Sequence, residues 1–154
     1  MAATHFTGPI ITGPILQTSG TTVGQDVADV GSVVLTQIVA VTQLGTYSAS
    51  AGLATSIVIP AYSMIHDITL YVTTAWTAGN ISIGTSTTST ELVVATAPSA
   101  VGVSIQTPGT DATRTGKWIS VGASDVRIYV LSSTNATGGV ATLAVSYVQA
   151  INAP

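Results

Sequence analysis

The chain has 154 residues, of which 46% are hydrophobic, only 6% charged and 5% aromatic, and it has no cysteine. Three basic against six acidic residues give a formal net charge of −3, which leaves no basic footprint for nucleic acid, and the lack of cysteine excludes disulfides, a thiolate nucleophile and Cys-ligated metals. The length fits one domain, and its surface, far below the roughly 25% charge of ordinary globular domains, must be covered mostly by Thr, Ser, Gly, Asn and Ala, which repel like copies only weakly.

Mean hydropathy is +0.58, yet no apolar run approaches the ~20 residues that span a bilayer. Val33 to Leu35 and Ile57 to Ile59 are each broken within a few residues by Thr, Gln, Pro or Ser. The opening Met1-Ala2-Ala3-Thr4-His5-Phe6 has no basic segment followed by an apolar one, so no secretory signal is expected there. One Phe, two Trp and five Tyr are too few for the aromatic girdles of an outer-membrane barrel. No membrane partner is expected, and the hydropathy should be buried against protein.

Residues 1–31 read as an extended arm. Thr7-Gly8-Pro9-Ile10 recurs as Thr12-Gly13-Pro14-Ile15, and proline, with its fixed φ and missing N–H, argues against a helix or a central strand. The apolar side chains Phe6, Ile10, Ile11, Ile15 and Leu16 are too many for a solvated linker. They need a cover, either the chain's own domain or a partner.

Residues 32–154 read as a second unit of short β-branched runs between turn signals. Val33 to Thr42 is the first predicted strand, and Ser56 to Ile59, ended by Pro60, the second. Met64 to Thr74 alternates most clearly: Met64, His66, Ile68, Leu70 and Val72 share one face, expected to meet the core, and Ile65, Asp67, Thr69, Tyr71 and Thr73 the other. Further strands are expected around Ile81 and Ile83, over Leu92 to Ala95, and through the alternation of Val101, Val103 and Ile105 up to Thr107-Pro108-Gly109. Lys117 to Val121 follows, then Val126, Ile128 and Val130. A turn at Asn135 to Gly139 precedes the last strand, carried by Ala141, Leu143, Val145 and Tyr147. About eight or nine strands without an amphipathic helix indicate an all-β fold: a jelly-roll-like, two-sheet antiparallel sandwich with an extended N-terminal arm. An immunoglobulin-like sandwich is the nearest competitor.

Catalytic signatures are lacking. His66 and Asp67 are adjacent, which on a strand sends them to opposite faces, so they do not form a base and its orienter. His66 reads as a hydrogen-bonded histidine of the core or of a subunit interface. His5 has no metal-ligand spacing with its neighbours, Glu91 is the only glutamate, and neither Gly-x-Ser-x-Gly nor a phosphate-binding loop occurs. No enzyme, metal or cofactor is expected. Asp125 and Arg127, two apart on a predicted strand, share a face; an ion pair there is worth roughly 0–1 kcal/mol if exposed. At a subunit interface it would set register. Trp76, Trp118 and Tyr62 lie near loops, where aromatic rings either stack on sugars or pack the strand ends.

Several segments together carry a resemblance. They are the Phe6-Thr7-Gly8-Pro9-Ile10 arm, the Ile59-Pro60-Ala61 turn into the strand that ends Val72-Thr73-Thr74-Ala75-Trp76, and Ile81-Ser82-Ile83-Gly84. Asp125-Val126-Arg127-Ile128-Tyr129-Val130 and Thr137-Gly138-Gly139 complete them. This pattern resembles the capsid decoration, or cement, proteins of tailed bacteriophages. It is made of short β motifs over most of the chain and contains no catalytic signature. The resemblance implies a β-sandwich that assembles as a homotrimer or dimer and clamps neighbouring major capsid protein subunits on the exterior of the virion, after synthesis in the host cytoplasm. On that reading Phe6, Ile10, Ile11, Ile15 and Leu16 meet the capsid, and His66, Asp125 and Arg127 lie between copies. The competing expectation is a glycan-binding head fibre or tail adhesin with Trp76, Trp118 or Tyr62 as platforms, or another tail or neck component.

Overall fold

The computed structural model describes residues 34–43, 52–88, 90–134 and 137–149. The arm expected over residues 1–31, with Phe6, Ile10, Ile11, Ile15 and Leu16, lies outside them. The described chain runs β1 (Val34–Thr42), β2 (Leu53–Ile59), β3 (Met64–Thr74), β4 (Ile81–Gly84), β5 (Gly102–Gln106), α1 (Ala112–Ile119), β6 (Val126–Ser132) and β7 (Val140–Val148). The strands form the expected two-sheet sandwich. One sheet has the order β1-β7-β3-β5 and the other β2-β6-β4, with every pairing antiparallel.

Period-two patterning builds the core. Ala141, Leu143, Val145 and Tyr147 of β7 face inward beside Ile68, Leu70 and Val72 of β3, and meet Ile57, Ile59, Ile81, Ile83, Ile128 and Val130 of the smaller sheet. Each Val, Leu or Ile side chain among them contributes about 1.5–3 kcal/mol when fully buried. Polar order is imposed at one end by Gln43, which is fully buried. Its backbone N–H donates to Gly139 O at 2.7 Å, its Nε2 donates to Ala78 O at 2.8 Å, and its Oε1 accepts from the N–H groups of Thr77 and Gly139, both at 3.2 Å. One side chain thereby ties the end of β1 to the loops after β3 and before β7.

Three predicted elements differ. The parity of β3 changes at His66: Ile65 pairs with Tyr147 and Asp67 with Ser146, so His66 is an extra, bulged residue. Ile65 is therefore buried while Met64 and His66 are exposed, the reverse of the expected face, and the predicted alternation holds only from Ile68 onward. A single inserted residue flips every side chain on one side of it. Leu92 to Ala95 is an irregular segment rather than a strand; Leu92 and Val93 are still buried, and Thr96 makes an isolated bridge to Ile81.

The stretch predicted as a strand over Lys117 to Val121 belongs mostly to α1. Asp111 caps this helix by accepting from the Arg114 N–H at 2.9 Å, and Lys117 lies in its last turn, where a cation offsets the helix dipole. No residue of α1 is fully buried, and its eight residues include the weak helix formers Thr113, Thr115, Gly116 and Ile119, so propensity argues against the helix. The Asp cap was the legible signal. Among the described residues no helix is long and apolar enough to cross a membrane.

Candidate interaction surfaces

Asp125 and Arg127 do not pair with each other. Asp125 lies just before β6 and its Oδ1 accepts from the Ala61 N–H at 3.0 Å. Arg127 points Nη1 to Thr55 O at 2.7 Å. Both side chains thus pin the β2 side of the smaller sheet, and the expected ion pair is replaced by charge-assisted bonds to backbone. Both residues, like His66, are exposed.

The aromatic residues near loops are mostly held within the fold. Trp76 is buried, with its ring against Gly139, so it offers no stacking face. Trp118 is half-buried and its Nε1 donates to Leu92 O at 2.6 Å. Tyr62 is half-buried in a turn with φ of 59°, an uncommon left-handed position for a residue with a Cβ. Among the described residues no group of three or more His, Cys, Asp or Glu side chains is placed to hold a metal ion.

The two sheets present unlike outer surfaces. On the smaller sheet Leu131 is buried, Tyr129 half-buried and Arg127 exposed; none of its described strands exposes a large hydrophobic side chain. The four-stranded sheet does the opposite. Across it, in register, run Ile38, Ala144, Thr69 and Ile105, and beside that row Ala40, Thr142, Tyr71 and Val103. Ile38 and Ile105 are each 67% exposed, Val103 64% and Tyr71 48%. The one charged residue in these outer rows is Asp67, in the adjoining row Thr36, Ser146, Asp67. Its Oδ2 accepts from Thr69 Oγ1 at 2.7 Å.

β5 is inverted relative to the usual amphipathic strand. Its apolar residues Val103 and Ile105 point out, while Ser104 and Gln106 point toward the core beside Leu70 and Ile68. Gln106 is only 1% exposed. Its burial is sustained by local bonds: Oε1 accepts from Thr96 Oγ1 at 2.7 Å, and Nε2 donates to Ser104 O at 3.0 Å. Sequence reasoning finds the alternation of Val101, Val103 and Ile105 but not its direction. The legible clue is Gln106, whose amide finds all its partners within ten residues of chain.

No protein-family model and no curated protein matches this chain. Two solved structures share its fold. One is a chain of the capsid of Ralstonia phage GP4, with a TM-score of 0.57 and 19% identity, the alignment covering 80% of this chain and 89% of that one. The other belongs to the capsid asymmetric unit of cyanophage Pam1, with a TM-score of 0.58 and 15% identity over 92% of this chain and 99% of that one.

Proposed function

We propose that this chain is a structural virion protein: a capsid decoration, or cement, protein that self-associates as a homotrimer and binds the outer surface of the major capsid protein shell, stabilising the head. The observation that carries the reading is the fold it shares, along nearly the whole length of each counterpart, with chains of two phage capsids. The sequence resemblance points the same way. The work of such a protein is additive burial and needs no catalytic residue and no cofactor. At about 25 cal/mol per Å², a few hundred Å² of apolar contact is worth several kcal/mol before association costs. Repetition around a shell adds avidity. In this reading Phe6, Ile10, Ile11, Ile15 and Leu16 anchor the chain on the shell, and His66, exposed at the bulge of β3, serves contacts between copies, while Asp125 and Arg127 are committed to backbone bonds within the chain.

The test is reconstitution on heads that lack the protein. The full chain should bind to saturation at a fixed ratio to the major capsid protein and raise the temperature at which heads release DNA. A chain lacking residues 2–20 should remain folded and bind poorly. Heads that take up none of the full chain overturn the reading, and undiminished binding of the truncated chain overturns the anchoring role of the arm.

A further inference from the structure

We infer that the outer face of the four-stranded sheet is the surface on which copies of this chain meet. The inference rests on the assembly reading above and adds the surface and its occupant. The inverted strand β5 carries it. A monomer in water gains by turning Val103 and Ile105 inward and Gln106 outward, since each buried aliphatic side chain is worth about 1.5–3 kcal/mol. This chain does the reverse, burying a glutamine and satisfying it locally while presenting the aliphatic residues to the outside. The arrangement is favourable when the outer face is itself covered.

The rest of the face agrees. Tyr71 on β3 and Val103 and Ile105 on β5 form an exposed apolar patch at one edge of the sheet and Ile38 on β1 stands exposed at the other, with Thr69 and Ala144 buried between them, and exposed apolar surface of this kind marks a contact site. The smaller sheet, with Arg127 on its outer side and no exposed large hydrophobic residue among its described strands, is the solvent face.

Chemistry selects the occupant. The outer rows carry no cation and one carboxylate already bonded to Thr69, so a partner bearing complementary charge finds little to pair with. Their polar groups are mainly hydroxyls, such as Thr36, Thr142 and Ser146, and a hydroxyl both donates and accepts. Such a face therefore meets another copy of this chain without stranding a donor, an acceptor or a charge. Its size fits as well. Strands about 4.8 Å apart and five to eleven residues long at about 3.3 Å each give a footprint of roughly 300–700 Å² per copy. That is a large part of the ~800 Å² per partner of a standard interface. Association in free solution is accordingly concentration dependent.

Sedimentation velocity on the full chain, from low to high micromolar, tests this. The mass should rise above the 15.4 kDa of one chain. Ile38→Lys and Ile105→Lys, at positions already exposed to solvent, should each weaken association by about tenfold or more, the effect of burying an unpaired charge. Ser56→Lys, an exposed site on the smaller sheet, should not. Ile105→Thr serves if a lysine variant fails to melt cooperatively. A chain that is monomeric throughout, or whose association ignores these substitutions, overturns the inference. Uptake by heads, scored separately, isolates the decoration reading. A monomeric chain that still binds heads, with binding abolished by Ile105→Lys, assigns the face to the shell instead. A chain that associates but never binds heads overturns decoration alone.

Discussion

The side-chain amide of Gln37 pairs with both backbone groups of Val58: Nε2 donates to Val58 O at 2.6 Å, and the Val58 N–H donates to Oε1 at 3.2 Å. Gln37 belongs to the four-stranded sheet and Val58 to the three-stranded one. A side chain thus supplies one rung of a ladder between two sheets that otherwise meet through apolar contacts. Nε2 also donates to Tyr147 Oη at 2.9 Å, which holds the amide against the middle of the larger sheet.

Gln37→Ala leaves Val58 with two unpartnered backbone groups in a partly buried site. At about 1–3 kcal/mol for each group left unsatisfied, a loss of roughly 2–4 kcal/mol is expected. Urea unfolding should show it as a lower midpoint with an unchanged slope. Gln37→Glu keeps an acceptor but loses the donor to Val58 O, and should also destabilise.

Gly139→Ala places a Cβ 2.4 Å from Cε3 and 2.6 Å from Cδ2 of Trp76. The ring has no flexible end to move aside, and Gly139 is held on both sides by Gln43. Overpacking of this kind costs about 1–3 kcal/mol. The melting temperature should fall and the tryptophan emission shift as Trp76 is displaced.

Gly116→Ala should do the opposite. Gly116 sits inside α1 with nothing within 4 Å of an added Cβ, so alanine gains about 0.5–1 kcal/mol of helix propensity. Asp111→Ala, by removing the cap on Arg114 N, should lose about 0.5–2 kcal/mol. Thermal melts of the two variants should move in opposite directions from wild type.

His66→Ala is expected to change stability by no more than about 0.5 kcal/mol, as at other exposed sites. A buried histidine on the core face would cost several times more, so the same denaturation measurement separates the bulged β3 from a regularly alternating one.

Much of the architecture was legible because strand periodicity records burial. The alternation of Ala141, Leu143, Val145 and Tyr147 predicts the buried face of β7, and Ile68, Leu70 and Val72 predict that of β3. Two of the failures trace to one local event each. A single bulged residue reversed Met64, Ile65 and His66, and a capped two-turn helix rich in Thr and Gly offered little helix propensity to read. Of the residues singled out for interaction, His66, Asp125 and Arg127 are exposed, but the two charges are engaged with backbone carbonyl and amide groups rather than with each other.

By itself, the sequence determined that this is a charge-poor, cysteine-free chain whose hydropathy belongs to β-strands, because composition and period two depend only on residue order. Tertiary structure alone decided which way each apolar alternation faces. Val101, Val103 and Ile105 alternate as regularly as any core strand, and their direction is set by tertiary neighbours: β3, remote in sequence, on one side, and the nearby hydroxyl of Thr96 on the buried Gln106. A period of two names two faces but not the one that is covered, and that choice turned an apparent core strand into the edge of an exposed apolar sheet.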